Sequence, residues 1–148
     1  ATFRAIAKKY PNVPPEQILR DLIASTPGAE GKWFAAAKDA GLFDLAIELA
    51  ARSPTDPRTL TRASRDYAEK QPDFALAAGL AALHWISRGH GYEITGGDVL
   101  DAYAAVTQAS VGAGVPAQRI NEQIREMIVG AQPGTSLMGT ILGHRLSS

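Results

Sequence analysis

The sequence predicts an all-α protein, and three observations predict it. Apolar side chains return every three or four residues in one segment after another. Prolines and glycines punctuate those segments where helices start and stop. No stretch of any length alternates apolar with polar residues. The axis of this reading is Pro72 to Arg88, which after Asp73 carries no charged side chain until Arg88. Phe74, Ala77, Ala81 and Trp85 share one face, and Leu76, Leu80 and Leu83 a second. A helix apolar nearly all round belongs in a core, covered on more than one side. It is too short and too alanine-rich to span a bilayer. Ala77, Ala78, Gly79, Ala81 and Ala82 are small enough to let neighbouring helices come close.

In chain order, Thr2 caps a first helix with Phe3, Ile6, Ala7 and Tyr10 on one face, ended by Pro11. Pro14 and Pro15 open a second, where a missing amide proton does no harm. Its stripe is Ile18, Leu19, Leu22 and Ile23, with Glu16, Gln17, Arg20 and Asp21 facing water. After the turn Ser25-Thr26-Pro27-Gly28, a helix over 32–40 presents Trp33, Phe34, Ala36 and Ala37 and closes on Gly41 in a left-handed cap. Leu42 to Arg52 follows at once, with Phe43, Ala46, Ile47 and Ala50 inward and Asp44, Glu48 and Arg52 spaced for surface pairing. So short a break makes an antiparallel hairpin.

Asp56 as cap and Pro57 at the first helical position start the next helix, which runs to Gln71 and buries Leu60, Ala63, Ser64, Tyr67 and Ala68. The apolar helix from Pro72 runs into Gly89-His90-Gly91. Thr95 and Asp98 form a capping box, with Asp in place of the usual Glu. Val99, Leu100, Tyr103, Val106 and Thr107 line the helix beyond, stopped by Gly112-Ala113-Gly114. The helix from Pro116 to Val129 carries Ile120, Ile124, Met127 and Ile128. After a loop over 130–135, Leu137, Met138, Ile141 and Leu142 mark a short last helix. The expectation is eight or nine helices.

A chain of 148 residues is long enough for one domain with a real core, and a single domain over 1–148 is expected. Lys plus Arg and Asp plus Glu both number 15, so the net charge is zero. That argues against a general nucleic-acid binder and against attachment to an anionic membrane by charge alone. There is no cysteine, which removes disulfides and thiolate metal sites and fits a reducing, cytoplasmic setting. The chain begins without Met and already reads as helix from Phe3. A piece of a longer protein, with the Ala/Gly/Arg-rich composition of a bacterial one, is the expectation.

A shift of 31 residues lays Phe43 on Phe74, Ala46 on Ala77, Leu49 on Leu80 and Ala50 on Ala81. Two helical hairpins, over 32–52 and 57–88, would each need a neighbour to cover the apolar face. That is the logic of an α-solenoid. Within the first, Ala40-Gly41-Leu42-Phe43-Asp44-Leu45-Ala46 resembles the second half of a tetratricopeptide repeat. In that family a small residue and Gly close the first helix, an aromatic opens the second, and a small residue follows three positions on. Gly41, Phe43 and Ala46 match. Phe34 departs, standing where the family has a small residue; Pro54 comes early, and Gln71-Pro72 replaces the expected Gly in the second unit. The resemblance implies stacked helical hairpins and, by fold analogy, a protein-binding role with no catalytic residues.

The search for chemistry is led by the helix after Pro57. Arg58, Arg62 and Arg65 recur on one face, with Arg52 near its start, and could grip an acidic peptide, a carboxylate or phosphates through bidentate contacts. The bland alternative is a solvated face in which Arg62 pairs with Asp66 and Arg65 with Glu69. The second marked stretch runs from His90 to Asp98. With Gly89 just before it, four glycines around Tyr92, Glu93 and Asp98 make either a recognition loop or a tight corner with Tyr92 and Ile94 tucked inward.

His84 reads as a core or half-core histidine beside Trp85, and His144 as solvated. The spacing of His84 and His90 does not share a helix face, so a metal would need Glu93 or Asp98 to fold back. No GxSxG or phosphate-binding loop is present. No cofactor or metal is expected. The preferred reading is a non-enzymatic protein- or peptide-binding module with Arg58, Arg62, Arg65, His90, Tyr92 and Glu93 as partner-binding candidates. A small-ligand or catalytic pocket near His84, Trp85, His90 and Tyr92 competes with it. Nucleic-acid contact through the arginines is third, since no aromatics interleave with them for stacking.

Overall fold

The computed structural model describes residues 14–129 and 137–146; the expected first helix and the 130–135 loop lie outside them. Among the described residues there are eight α-helices, one 3-10 turn and no strand. They form two compact units, the first ending at Pro54 and the second beginning at Thr55.

In the first unit, α1 (Pro15–Ala24) starts at the expected proline and buries Ile18, Leu19 and Ile23. The outer face ties itself together through Arg20 to Glu16 at 3.2 Å and Gln17 to Asp21 at 3.0 Å. Instead of one helix over 32–40 there is a 3-10 turn, Glu30–Trp33, followed by α2 (Phe34–Asp39). The Trp33 indole N–H donates to Thr26 Oγ1 at 2.8 Å, turning that ring back toward the preceding turn. Phe34 and Ala37 are buried. α2 ends as expected on Gly41 at φ +78°, with the Leu42 amide donating to Ala37 O at 2.9 Å.

The next helix, α3 (Phe43–Arg52), packs against α2 and the turn. Its buried face is Leu45, Ala46, Leu49 and Ala50, with Phe43 and Ile47 only half-buried, so it is rotated from the expected one. Arg52 pairs with Glu48 as the spacing required. Beyond its end the buried Ser53 hydroxyl accepts the Gly31 amide at 2.7 Å and fastens the helix end to the 3-10 turn.

The second unit is built around the apolar helix. α4 (Pro57–Tyr67) starts on Asp56, whose carboxylate accepts the Arg58 amide, and buries Leu60, Ala63 and Ser64. It stops at Tyr67, short of the expected Gln71. α5 (Pro72–Ser87) packs against α4, against α6 (Gly96–Ala113), and also against α7 (Ala117–Val129) and α8 (Leu137–Leu146). No residue from Phe74 to Ser87 is exposed. The least covered line is Ala77, Leu80, Ala81 and His84, which are half-buried. Ile120 and Ile124 of α7 and Met138 and Leu142 of α8 close the core, and the Tyr103 hydroxyl meets Asn121 at 3.1 Å.

The small residues of α5 are what let it be surrounded. A Cβ on Gly79 would stand 2.6 Å from Val106 Cγ2 of α6 and 2.9 Å from Ser64 Oγ of α4. α6 turns inward Val99, Ala102, Ala105, Val106 and Ala109. Leu100 and Thr107, expected inward, are exposed.

Ser64 is fully buried, and its hydroxyl has no hydrogen-bond partner. An unsatisfied buried hydroxyl costs roughly 1–3 kcal/mol. Ser64→Ala is therefore expected to leave the thermal midpoint unchanged or raise it. A clear fall in a melting experiment would mean that the hydroxyl holds something in place.

Candidate functional site

The two polar features marked in the sequence come together in the second unit. The α5 C-terminus closes on Gly89 at φ +83°, where the His90 amide donates to Trp85 O at 3.0 Å, and the chain swings through residues 90–95 to the start of α6. At Gly91, φ is +106° and a Cβ would meet Ile94 Cγ1 at 2.6 Å, so the corner needs glycine there. Glu93 takes φ +47°, a left-handed backbone uncommon outside glycine. Thr95 and Asp98 then form the expected capping box, with the Thr95 amide donating to Asp98 Oδ2 at 2.8 Å.

What holds the corner is Arg58. Its Nε donates to Asp98 Oδ1 at 3.0 Å and its Nη2 to Asp98 Oδ2 at 2.9 Å, a bidentate pair. Its Nη1 donates to Tyr92 O at 2.8 Å, and Nη2 also to Glu93 O at 3.0 Å. One guanidinium thus fastens α4 to the α6 N-terminus and holds the carbonyls of Tyr92 and Glu93. The Arg58 guanidinium, aided by the Thr95 amide and hydroxyl, holds the Asp98 carboxyl below its ordinary value. Bonding to Asp98 in turn raises Arg58 above its own. Arg58 is therefore a structural clamp, and this part of the arginine face is spoken for.

One turn further along α4, the expected Arg62–Asp66 pair does not form, and Arg62 has no ion-pair partner among the described residues. Arg65 lies 4.0 Å from Asp66 rather than pairing with Glu69, and both of those side chains are more than half exposed. Such a pair is worth little. Arg52 is committed to Glu48. Arg58, Arg62 and Arg65 line a cleft of about 150 Å³, with Pro57, Thr61 and Ile86, and with Asp98 and Asp101 from α6. Asp101 forms no ion pair among the described residues either.

The histidine side of the corner is arranged differently. Trp85 is buried, and the His84 and His90 rings meet it edge to face at 4.6 and 5.3 Å between centroids. Tyr92, expected tucked inward in the tight-corner reading, is 78% exposed, and Ile94 alone is half-buried. None of His84, Trp85, His90 and Tyr92 lines the cleft. Among the described residues no group of three metal-ligating side chains comes together, and no helix is long and apolar enough to cross a membrane.

No family model, curated protein or solved structure matches this chain. The tetratricopeptide likeness therefore rests on Gly41, Phe43 and Ala46, and any functional reading rests on the geometry just described. Sequence reasoning missed Asp101 as a cleft residue. It lies one turn beyond Asp98 on α6, a spacing visible in the chain, but nothing local says that this turn faces α4.

His84 supplies a pH-dependent readout. Burial, then the charges of Arg88 and His90, push its imidazole below the ordinary 6.5. A histidine that resists protonation when folded contributes stability that is complete above 6.5 and is lost as pH falls through the lowered folded value. In a Trp33→Phe, His90→Asn chain, Trp85 emission is expected to titrate with a midpoint below 6.5, since a protonated imidazole quenches a neighbouring indole. A midpoint at or above 6.5 would show His84 to be solvated.

Proposed function

We propose that this chain is a non-enzymatic interaction module that holds a protein or peptide segment at the face formed by Arg62, Arg65 and the clamped corner from His90 to Glu93. The observation that carries the reading is the division of labour on α4. Arg58 spends four hydrogen bonds on the corner, while Arg62, one turn away, lines a cleft with no ion pair of its own among the described residues. A cleft of about 150 Å³ is smaller than the roughly 300–1,000 Å³ of sites that enclose a small molecule. It suits one side chain of a larger partner. Tyr92 adds an exposed aromatic on a fastened backbone, the kind of rigid anchor that binding surfaces use. On this reading the helical hairpins are a repeat-like scaffold of the tetratricopeptide kind, working in the cytoplasm.

The test is selection from a random displayed-peptide library. Binders are expected, and Arg62→Glu with Arg65→Glu is expected to abolish their capture while leaving helicity and melting unchanged, since both side chains are exposed. An empty selection, or binders indifferent to the double change, would overturn the proposal.

A further inference from the structure

We infer that the cleft selects a single carboxylate, the side chain of an aspartate or glutamate on an extended partner segment, and discriminates against phosphate. This rests on the interaction reading above and sharpens it to a ligand chemistry.

Three guanidinium and two carboxylate groups line the cleft. Arg58 and Asp98 neutralise each other at 2.9 Å. With the Tyr92 and Glu93 carbonyls, four of the five Arg58 donors are taken, so this pair adds no net charge to the cleft. That leaves Arg62 and Arg65 on the α4 wall and Asp101 on the α6 wall, one positive charge in excess. One carboxylate balances that excess; a phosphate near −2 reverses it. Residues three apart on a helix are neighbours, so Arg62 and Arg65 can converge on one planar acceptor. The contact of Arg65 with Asp66, 4.0 Å long and exposed, is easily given up. Asp101 sets the limit on charge. It repels a second anionic group and is placed for a lysine or arginine flanking the acid. The partner is thus an isolated acidic side chain in a neutral or basic setting, and not an acidic run.

The experiment uses the full chain and a short Gly/Ser/Ala peptide, capped at both ends, with a central glutamate, glutamine or phosphoserine. Binding is read from arginine Nε–Hε resonances during titration at low and high salt. The glutamate peptide is expected to bind at least about tenfold tighter than the glutamine peptide, the scale of one charge-assisted contact, and tighter than the phosphoserine peptide. The preference should vanish in Arg62→Gln, Arg65→Gln, and Asp101→Asn should strengthen the phosphoserine peptide more than the glutamate one. Equal binding of glutamate and glutamine, a phosphoserine peptide tighter than glutamate in the unaltered chain, or a preference that survives the arginine changes would overturn the inference. If the glutamine peptide binds as well and still depends on Arg62 and Arg65, the interaction surface stands and only carboxylate selection falls. If no peptide binds and the library is empty, both fall.

Discussion

Gly79→Leu is expected to unfold the second unit or to lower its melting temperature severely. The side chain has nowhere to go. Its first carbon would already lie 2.6 Å from Val106 and 2.9 Å from Ser64, on helices to either side of α5, and both neighbours are fully buried. Overpacking a filled core commonly costs about 1–3 kcal/mol and sometimes more. Against a total stability of roughly 5–15 kcal/mol for a domain, that is a large share. Gly79→Ala should give a smaller loss that Val106→Ala partly restores, because the closest contact is Val106 Cγ2. Thermal melts of the three chains check this. Unchanged melting of Gly79→Leu would mean that α4, α5 and α6 do not meet at this point.

The second large effect is expected from Phe34→Ala, in the first unit. Phe34 is 1% exposed and heads the largest fully buried side chains. It stands where the tetratricopeptide pattern has a small residue, so the substitution makes the sequence more family-like while emptying the space the ring fills. Loss of a buried phenylalanine typically costs about 3–5 kcal/mol. The unit is small, and small units have little stability to lose. Amide exchange should show Leu45 to Ala50 of α3 losing protection. A loss under about 1 kcal/mol would mean that the ring sits loosely and that the family pattern is the better guide.

These two positions show what the sequence reveals and what it hides. Asp56 with Pro57, Thr95 with Asp98, and the glycines at 41 and 114 set helix ends by local chemistry, and local chemistry is legible. So is α5, whose lack of charge after Asp73 already says that it must be wrapped. The inward faces of α3 and α6 are less legible. Hydrophobic rank favours Leu100 over Ala102 and Ala105, yet the two alanines are buried and Leu100 is not, and which face of α6 turns inward is a property of the packed helices. The site divides in the same way. The arginine face and the glycine corner could each be marked from spacing. That Arg58 crosses forty positions to Asp98, and so removes itself from the binding face, could not. The i+4 spacing offered Arg62–Asp66 and Arg65–Glu69 as the natural pairs, and neither forms.

The most direct measurement is exchange and titration of the arginine side chains themselves. If α4 divides its arginines between holding the corner and meeting a partner, the Arg58 Nε–Hε proton exchanges slowly and ignores added glutamate peptide. Those of Arg62 and Arg65 then exchange fast and shift with it. Three arginines that exchange alike, or a peptide that moves Arg58 first, would contradict the division on which the proposed function stands.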